Sequence, residues 1–441
     1  DGMFTFRYVD GGVDLAGLHK YKISIKLPDE TDGRKIVSLA DSAFYGCTAL
    51  ESLTLGKYIQ KIGNNTFAGC ESLRTLTIPE SVMSIGKNAF SGCTALETLT
   101  LPSHLTEIPE GMCFYCPILT EITIPDSVTA IGTEAFYNCW SLKEIAVPEG
   151  VETIGDYAFA FCTSLAEASL PSSVTEIGSG LYCGCESITE FTVPAGITEL
   201  GTLSFIGCTS LSAYDVEPGN TVYTAVDGVL YKSDGSVLYA YPAGSPAEQF
   251  TVPEGVTTIY DGAFFTASNL TQIDFPNTLH FIGAGAFEYC DALTSITLPE
   301  GVEFIYDHAF ADCAALASVH LPETLTGVGN YAFYACPALK EITVPSACKK
   351  IGNYAFGYTD GDETDENGTP VPVEIEGFKQ HGGGVSVLTI VLVVVGVLVV
   401  GGIVVLLVRT IRKNQLTPEE QESLKDADEE AYEGITENSE E

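Results

Sequence analysis

The dipeptide Ala-Phe, with few substitutions, returns along this chain at a fixed step. The phenylalanine column runs Phe44, Phe67, Phe90, Phe136, Phe159, Phe205, Phe264, Phe287, Phe310, Phe333 and Phe356, mostly 23 residues apart. Two 46-residue gaps hold substituted members, Cys113 and Tyr182, and only the 59 residues from Phe205 to Phe264 break step. Thirteen units at one period mark a repeat architecture rather than a set of unrelated domains. A unit of 23 residues cannot bury its own apolar side, so it must stack on its neighbours and share one continuous core.

Each unit has two halves. The first reads L-x-x-L-x-L-P, as in Leu73, Leu76, Ile78 and Pro79 or Leu293, Ile296, Leu298 and Pro299. Alternation at period two makes a short strand with one buried face, and proline ends it because it cannot donate to a ladder. The second half, V-x-x-I-G-x-x-A-F-x-x-C, returns the chain. Gly63, Gly86, Gly132, Gly155 and Gly178 suit a turn there that a side chain would crowd. The pattern predicts a leucine-rich-repeat solenoid of right-handed, parallel β-strand coils of 23 residues. Short turns lie on the convex side, a sheet lies on the concave side, and one transmembrane helix follows.

Five segments are expected. Residues 1–42 form an N-terminal cap and lead-in, and 43–359 the solenoid, with a hairpin insertion at about 217–249. Residues 360–384 form a closing cap and acidic stalk, 385–408 the transmembrane helix and 409–441 an acidic cytoplasmic tail. In the insertion, Val229, Tyr231, Val237, Tyr239 and Tyr241 alternate around Ser233-Asp234-Gly235-Ser236, a strong hairpin signal. It is expected to interrupt the convex side and divide the array into unequal blocks.

Val385 to Val408 contains 24 residues without a charge, enough to cross a hydrocarbon core about 30 Å thick. Arg409, Arg412 and Lys413 follow it, so the positive-inside rule places the tail in the cytoplasm and residues 1–384 outside. The tail itself carries 4 Lys/Arg against 11 Asp/Glu. The first residue is Asp1 rather than methionine, from which a processed or trimmed start is expected. A net charge of −39 argues against nucleic acid and against docking on an anionic membrane surface.

The motif P-x-S-V-x-x-I-G-x-x-A-F-x-x-C-x-x-L resembles the BspA-like class of bacterial and protist leucine-rich-repeat surface proteins, over about residues 3–380. Residues 8–44 look like that family's N-terminal cap, 220–244 like its recurrent hairpin, and 358–382 like its closing cap. The resemblance implies adhesion or recognition of host or neighbouring-cell proteins or glycans.

Fourteen cysteines invite a chemical reading. Eleven share one column: Cys47, Cys70, Cys93, Cys116, Cys139, Cys162, Cys185, Cys208, Cys290, Cys313 and Cys336. Ala267 and Thr359 take that place in two other coils, and alanine replaces a small buried thiol well but a metal ligand badly. A buried free-thiol ladder is expected. Some disulfides stay open, since column neighbours stand about one strand spacing apart. Cys113 and Cys116 match C-x-x-C, yet the register alone accounts for both. Cys183, in a variable column, is the candidate exposed thiol. No catalytic residues, metal site or cofactor is predicted, and no small-molecule substrate.

The outward column of the strand runs Thr54, Thr77, Thr100, Thr123, Ala146, Ser169, Thr192, Asp215, Thr251, Asp274, Thr297, His320 and Thr343. Beside it Glu121, Glu144, Glu167 and Glu190 fall in four successive coils. Stacked carboxylates repel, so they suggest a solvated acidic face, a bound cation or a basic partner. Trp140, the single tryptophan, is expected to be partly exposed beside Tyr137 at a coil edge. These six residues are the ligand-facing candidates. The function expected is a single-pass plasma-membrane protein that presents the solenoid to an extracellular protein or glycan. A structural envelope component without a specific ligand is the alternative, and a signalling receptor a further one.

Overall fold

A computed structural model describes residues 4–18 and 23–357. The described residues all belong to the first of two units, Asp1–Gly382. The expected closing cap, transmembrane helix and tail lie outside the described residues. Among those that are described, no helix is long and apolar enough to cross a membrane.

The first unit is a parallel β-solenoid of about 15 turns with the leucine-rich-repeat fold. One side of each coil carries the predicted strand. Thr75–Thr77 pairs in parallel with Thr98–Thr100, Leu76 facing in and both threonines facing out. The return half, expected to be short turns, is more ordered than that. Its V-x-x-I-G segment contains a second strand of two residues, such as Lys61–Ile62 and Ser84–Ile85, also paired coil on coil. A period-two pattern needs more than two residues to be visible, so this strand is silent in the sequence.

The glycine after that strand is required by crowding, not by backbone twist. A Cβ at Gly86 would sit 2.5 Å from the backbone of Gly63 and Asn64 in the preceding coil. The next residue ties the coils together: the Lys87 N–H donates to Asn64 Oδ1 (2.9 Å), as the Asn64 N–H does to Asp41 Oδ1 (2.7 Å).

The Ala-Phe side is a third ladder. The backbone N–H groups of Ser42, Phe44 and Gly46 donate to the carbonyls of Asn64, Thr66 and Ala68, each at 2.8 Å. The same three bonds recur in coil after coil. They demand two left-handed residues per turn, such as Asn65 (φ 52°) and Gly69 (φ 74°).

Inside, the phenylalanines stack: Phe44 on Phe67 at 5.3 Å and Phe67 on Phe90 at 5.4 Å between centroids. At the N-terminus, Phe4–Val9 and Gly12–Leu18 form an antiparallel hairpin whose second strand pairs with Arg34–Leu39. The inserted hairpin, Val229–Lys232 with Val237–Ala240, does not merely interrupt one side. Its last strand takes a rung and pairs in parallel with Thr258–Ile259. The core is thereby divided into two clusters.

Candidate functional site

The outward column of the three-residue strand is exposed from Thr54 to Thr343, and so are Glu121, Glu144, Glu167 and Glu190. Their positions follow from alternation, because each neighbouring inward residue is a buried Ile, Ala or Phe: Ile122, Ile145, Ala168 and Phe191. Lys143 precedes Glu144 in sequence, yet none of the four carboxylates forms an ion pair among the described residues. Glu341 occupies the same column, a member that reading successive coils misses because Ser318 precedes it.

The strand face opens where the glutamates begin. Between Thr98–Thr100 and Glu190–Val193 its pairing is reduced to two isolated bridges, Thr98 with Glu121 and Ala168 with Phe191. The same coils keep full register on the Ile-Gly side, from Glu107–Ile108 through Ala130–Ile131 and Thr153–Ile154 to Glu176–Ile177. The loosening is therefore confined to the acidic side. Like charges directly opposite one another destabilise a strand pair and add to this loosening, although pairing also lapses between Gln272–Asp274 and Ser295–Thr297, where no carboxylates face each other. At Glu341 there is no second carboxylate in the adjacent coil, and repulsion does not explain its missing strand.

The aromatic candidates separate. Trp140 is partly exposed, but its ring packs edge-on against Tyr115 (5.6 Å) and its indole N–H donates to Asn138 Oδ1 (3.2 Å). Tyr137 is not beside it at the surface. It is buried at 8%, stacked on Phe114 (5.0 Å) and against the edge of Phe161 (5.3 Å). Tyr137 is thus a packing residue. In the same column Tyr45 is 58% exposed, so the burial is decided by which residues fill the coils above and below.

All fourteen cysteines are free, and all except the half-buried Cys47 are buried. Cys183 is among the buried ones, a correction to its expected exposure. The ladder does more than fill space. The Cys93 thiol donates to the Phe67 carbonyl (3.1 Å), and Cys70, Cys116, Cys139, Cys162, Cys185, Cys208, Cys290, Cys313 and Cys336 repeat that bond 26 residues back. Burial raises the thiols of Cys70, Cys93, Cys116, Cys139, Cys162, Cys185, Cys208 and Cys290, Cys162 to about 12, which keeps them protonated and unreactive. No group of three or more metal-binding side chains exists among the described residues.

A sequence model for the BspA type leucine-rich repeat region matches residues 23–142, 129–228 and 239–361. No curated protein matches. Among solved structures, a leucine-rich cell surface protein of Faecalibacterium prausnitzii is 26% identical, with a TM-score of 0.57, covering 85% of this chain and 98% of its own. A leucine-rich repeat protein of Bacteroides ovatus is 22% identical, with a TM-score of 0.47, covering 80% of this chain and 98% of its own.

Proposed function

Because the chain belongs to the BspA-type leucine-rich-repeat family, we propose that it is a surface-displayed, non-catalytic binding protein that meets a macromolecular partner with its strand face. The observation that carries this reading is the exposed row from Thr54 to Thr343 with the four unpaired carboxylates beside it. A polar, repeated face offers many weak contacts, which suits an extended protein or glycan. A cationic patch on the partner would gain most across Glu121, Glu144, Glu167 and Glu190. It would relieve a repulsion the free protein bears.

The described surface role of the Faecalibacterium protein supports display outside the cell. Anchoring by residues 385–408, with the tail from Arg409 in the cytoplasm, completes the reading. The test is binding of cells displaying the full chain to an array of matrix proteins and glycans. Replacing Glu121, Glu144, Glu167 and Glu190 together by glutamine should weaken capture of a basic partner about tenfold at low salt. Unchanged capture by the quadruple variant would remove the strand face from the reading. A protease-protection assay on the same cells checks the orientation.

A further inference from the structure

The inserted hairpin caps two sides of the coil that precedes it and leaves the third uncapped. On the Ile-Gly side, tyrosine hydroxyls stand in for a neighbouring strand. The Leu200 N–H donates to the Tyr223 hydroxyl (3.0 Å), and the Leu200 carbonyl accepts from the Tyr239 hydroxyl (2.7 Å). On the strand side, the Tyr214 N–H donates to the Gly228 carbonyl (2.9 Å). On the Ala-Phe side the ladder stops. Gly180, Tyr182 and Gly184 donate to Thr202, Ser204 and Ile206. One coil later the N–H groups of Leu203, Phe205 and Gly207 have no protein acceptor among the described residues. The ladder resumes with Tyr241 donating to Ala263.

The cause is the hairpin's own pairing. Ala240, next to Tyr241, is held in register with Leu230 inside the hairpin. One backbone bond, from the Gly244 N–H to the Leu211 carbonyl (2.8 Å), crosses beside the gap. Within it the contacts are between side chains and Gly262, where a Cβ would meet Ile206 Cδ1 at 3.1 Å and Leu203 Cδ2 at 3.6 Å. A cavity of about 30 Å³ remains, lined by Phe205, Tyr214, Tyr241 and Asp261 among others. Tyr214 is 4% exposed, and its hydroxyl has no protein partner among the described residues. A void of this size has room for about two waters, whereas in most other coils the phenylalanine-column rings stack directly on one another.

We propose that this seam is a built-in joint, at which the solenoid opens into two blocks, 23–216 and 229–357, each remaining folded. The buried cores form two clusters, bridged by the partly buried Tyr260, which packs against both. Alternate hairpin side chains enter different ones, Leu230 and Tyr239 the first, Leu238 and Tyr241 the second. In a repeat array each unit is stabilised by its nearest neighbours alone, so the interface with the fewest backbone bonds opens first.

The test is pulsed hydrogen exchange of the full chain across a urea series, read by peptide mass spectrometry. A third mass envelope should appear at intermediate urea, with one block's peptides labelled and the other's protected. The double variant Tyr223→Phe, Tyr239→Phe removes both hydroxyl bonds to Leu200. It should raise the population of that species about tenfold, while the protection of Phe159–Gly184 and Phe287–Asp312 in native buffer stays unchanged. Two envelopes at every urea concentration, all labelled or all protected, would overturn the joint. So would a double variant whose protection falls equally throughout both blocks. Should the double variant not fold, the envelopes of the unmodified chain decide alone.

Discussion

Before the hairpin, the residue preceding the ladder cysteine is glycine in five coils: Gly46, Gly69, Gly92, Gly184 and Gly207, with φ between 68° and 74°. After the hairpin, Thr266, Tyr289, Asp312 and Ala335 hold the same left-handed backbone at φ of 52–60°. A left-handed conformation costs a residue with a Cβ about 1–2 kcal/mol. At this position the second block therefore stores backbone strain that five coils of the first avoid. Its aromatic column is better made. From Tyr241 through Phe264, Phe287, Phe310 and Phe333 to Phe356 the rings stack without a gap at 4.7–5.6 Å. The first block has its column interrupted at Cys113, and Tyr182 stacks on Phe205 at 6.2 Å. One motif thus tolerates two distributions of cost, strain beside the ladder cysteine with tight stacking or glycine there with a looser core.

Removing a ring from the tighter column should have the largest effect. Phe310→Ala is expected to destabilise the second block by about 3–5 kcal/mol in urea unfolding, and Cys113→Ala the first by no more than about 1–2. Equal losses would dissolve the contrast between the columns.

A second difference is a buried acid. Glu288 is 3% exposed, and its carboxyl is raised to about 8, by burial first and by the nearby Asp312 second. The unfolded value is near 4.5, so the folded chain holds a proton that the unfolded chain releases as pH rises from 4.5 to 8. Stability of the second block is full below that window and falls through it. Glu288→Gln should flatten the profile and add about 3 kcal/mol at pH 7, as measured by urea unfolding at pH 5, 7 and 9. A variant that keeps the slope would show that the acid lies elsewhere.

The smallest effect sharpens the strain argument. Thr266 is β-branched and left-handed (φ 58°), so Thr266→Gly should stabilise by about 1 kcal/mol. Gly69→Thr in the first block should cost about as much. A loss at Thr266→Gly would mean that the Thr266 hydroxyl bond to the Phe265 carbonyl (2.7 Å) outweighs the strain.

Much of this was legible from columns. The strand, its exposed threonines and the cysteine ladder each repeat at one step, and repetition makes a pattern readable where a single residue would not be. What failed lies in columns without a fixed type. The column after the phenylalanine holds Tyr45, Ala68, Phe114, Tyr137, Cys183 and Glu288. No period reveals that Tyr137 is buried between Phe114 and Phe161, or that Cys183 and Glu288 are buried as well. The thiol–carbonyl bonds were equally hidden, because they join residues 26 apart, one period plus a turn.

By itself the sequence determined the coil length, the inward and outward residues of each strand and the place of the insertion, since a 23-residue step and a two-residue alternation admit one stacking register. Tertiary structure alone decided how the insertion meets its neighbours. A hairpin that satisfies its own backbone cannot also accept from Leu203, Phe205 and Gly207, and that competition for hydrogen bonds exists only once the coils are stacked.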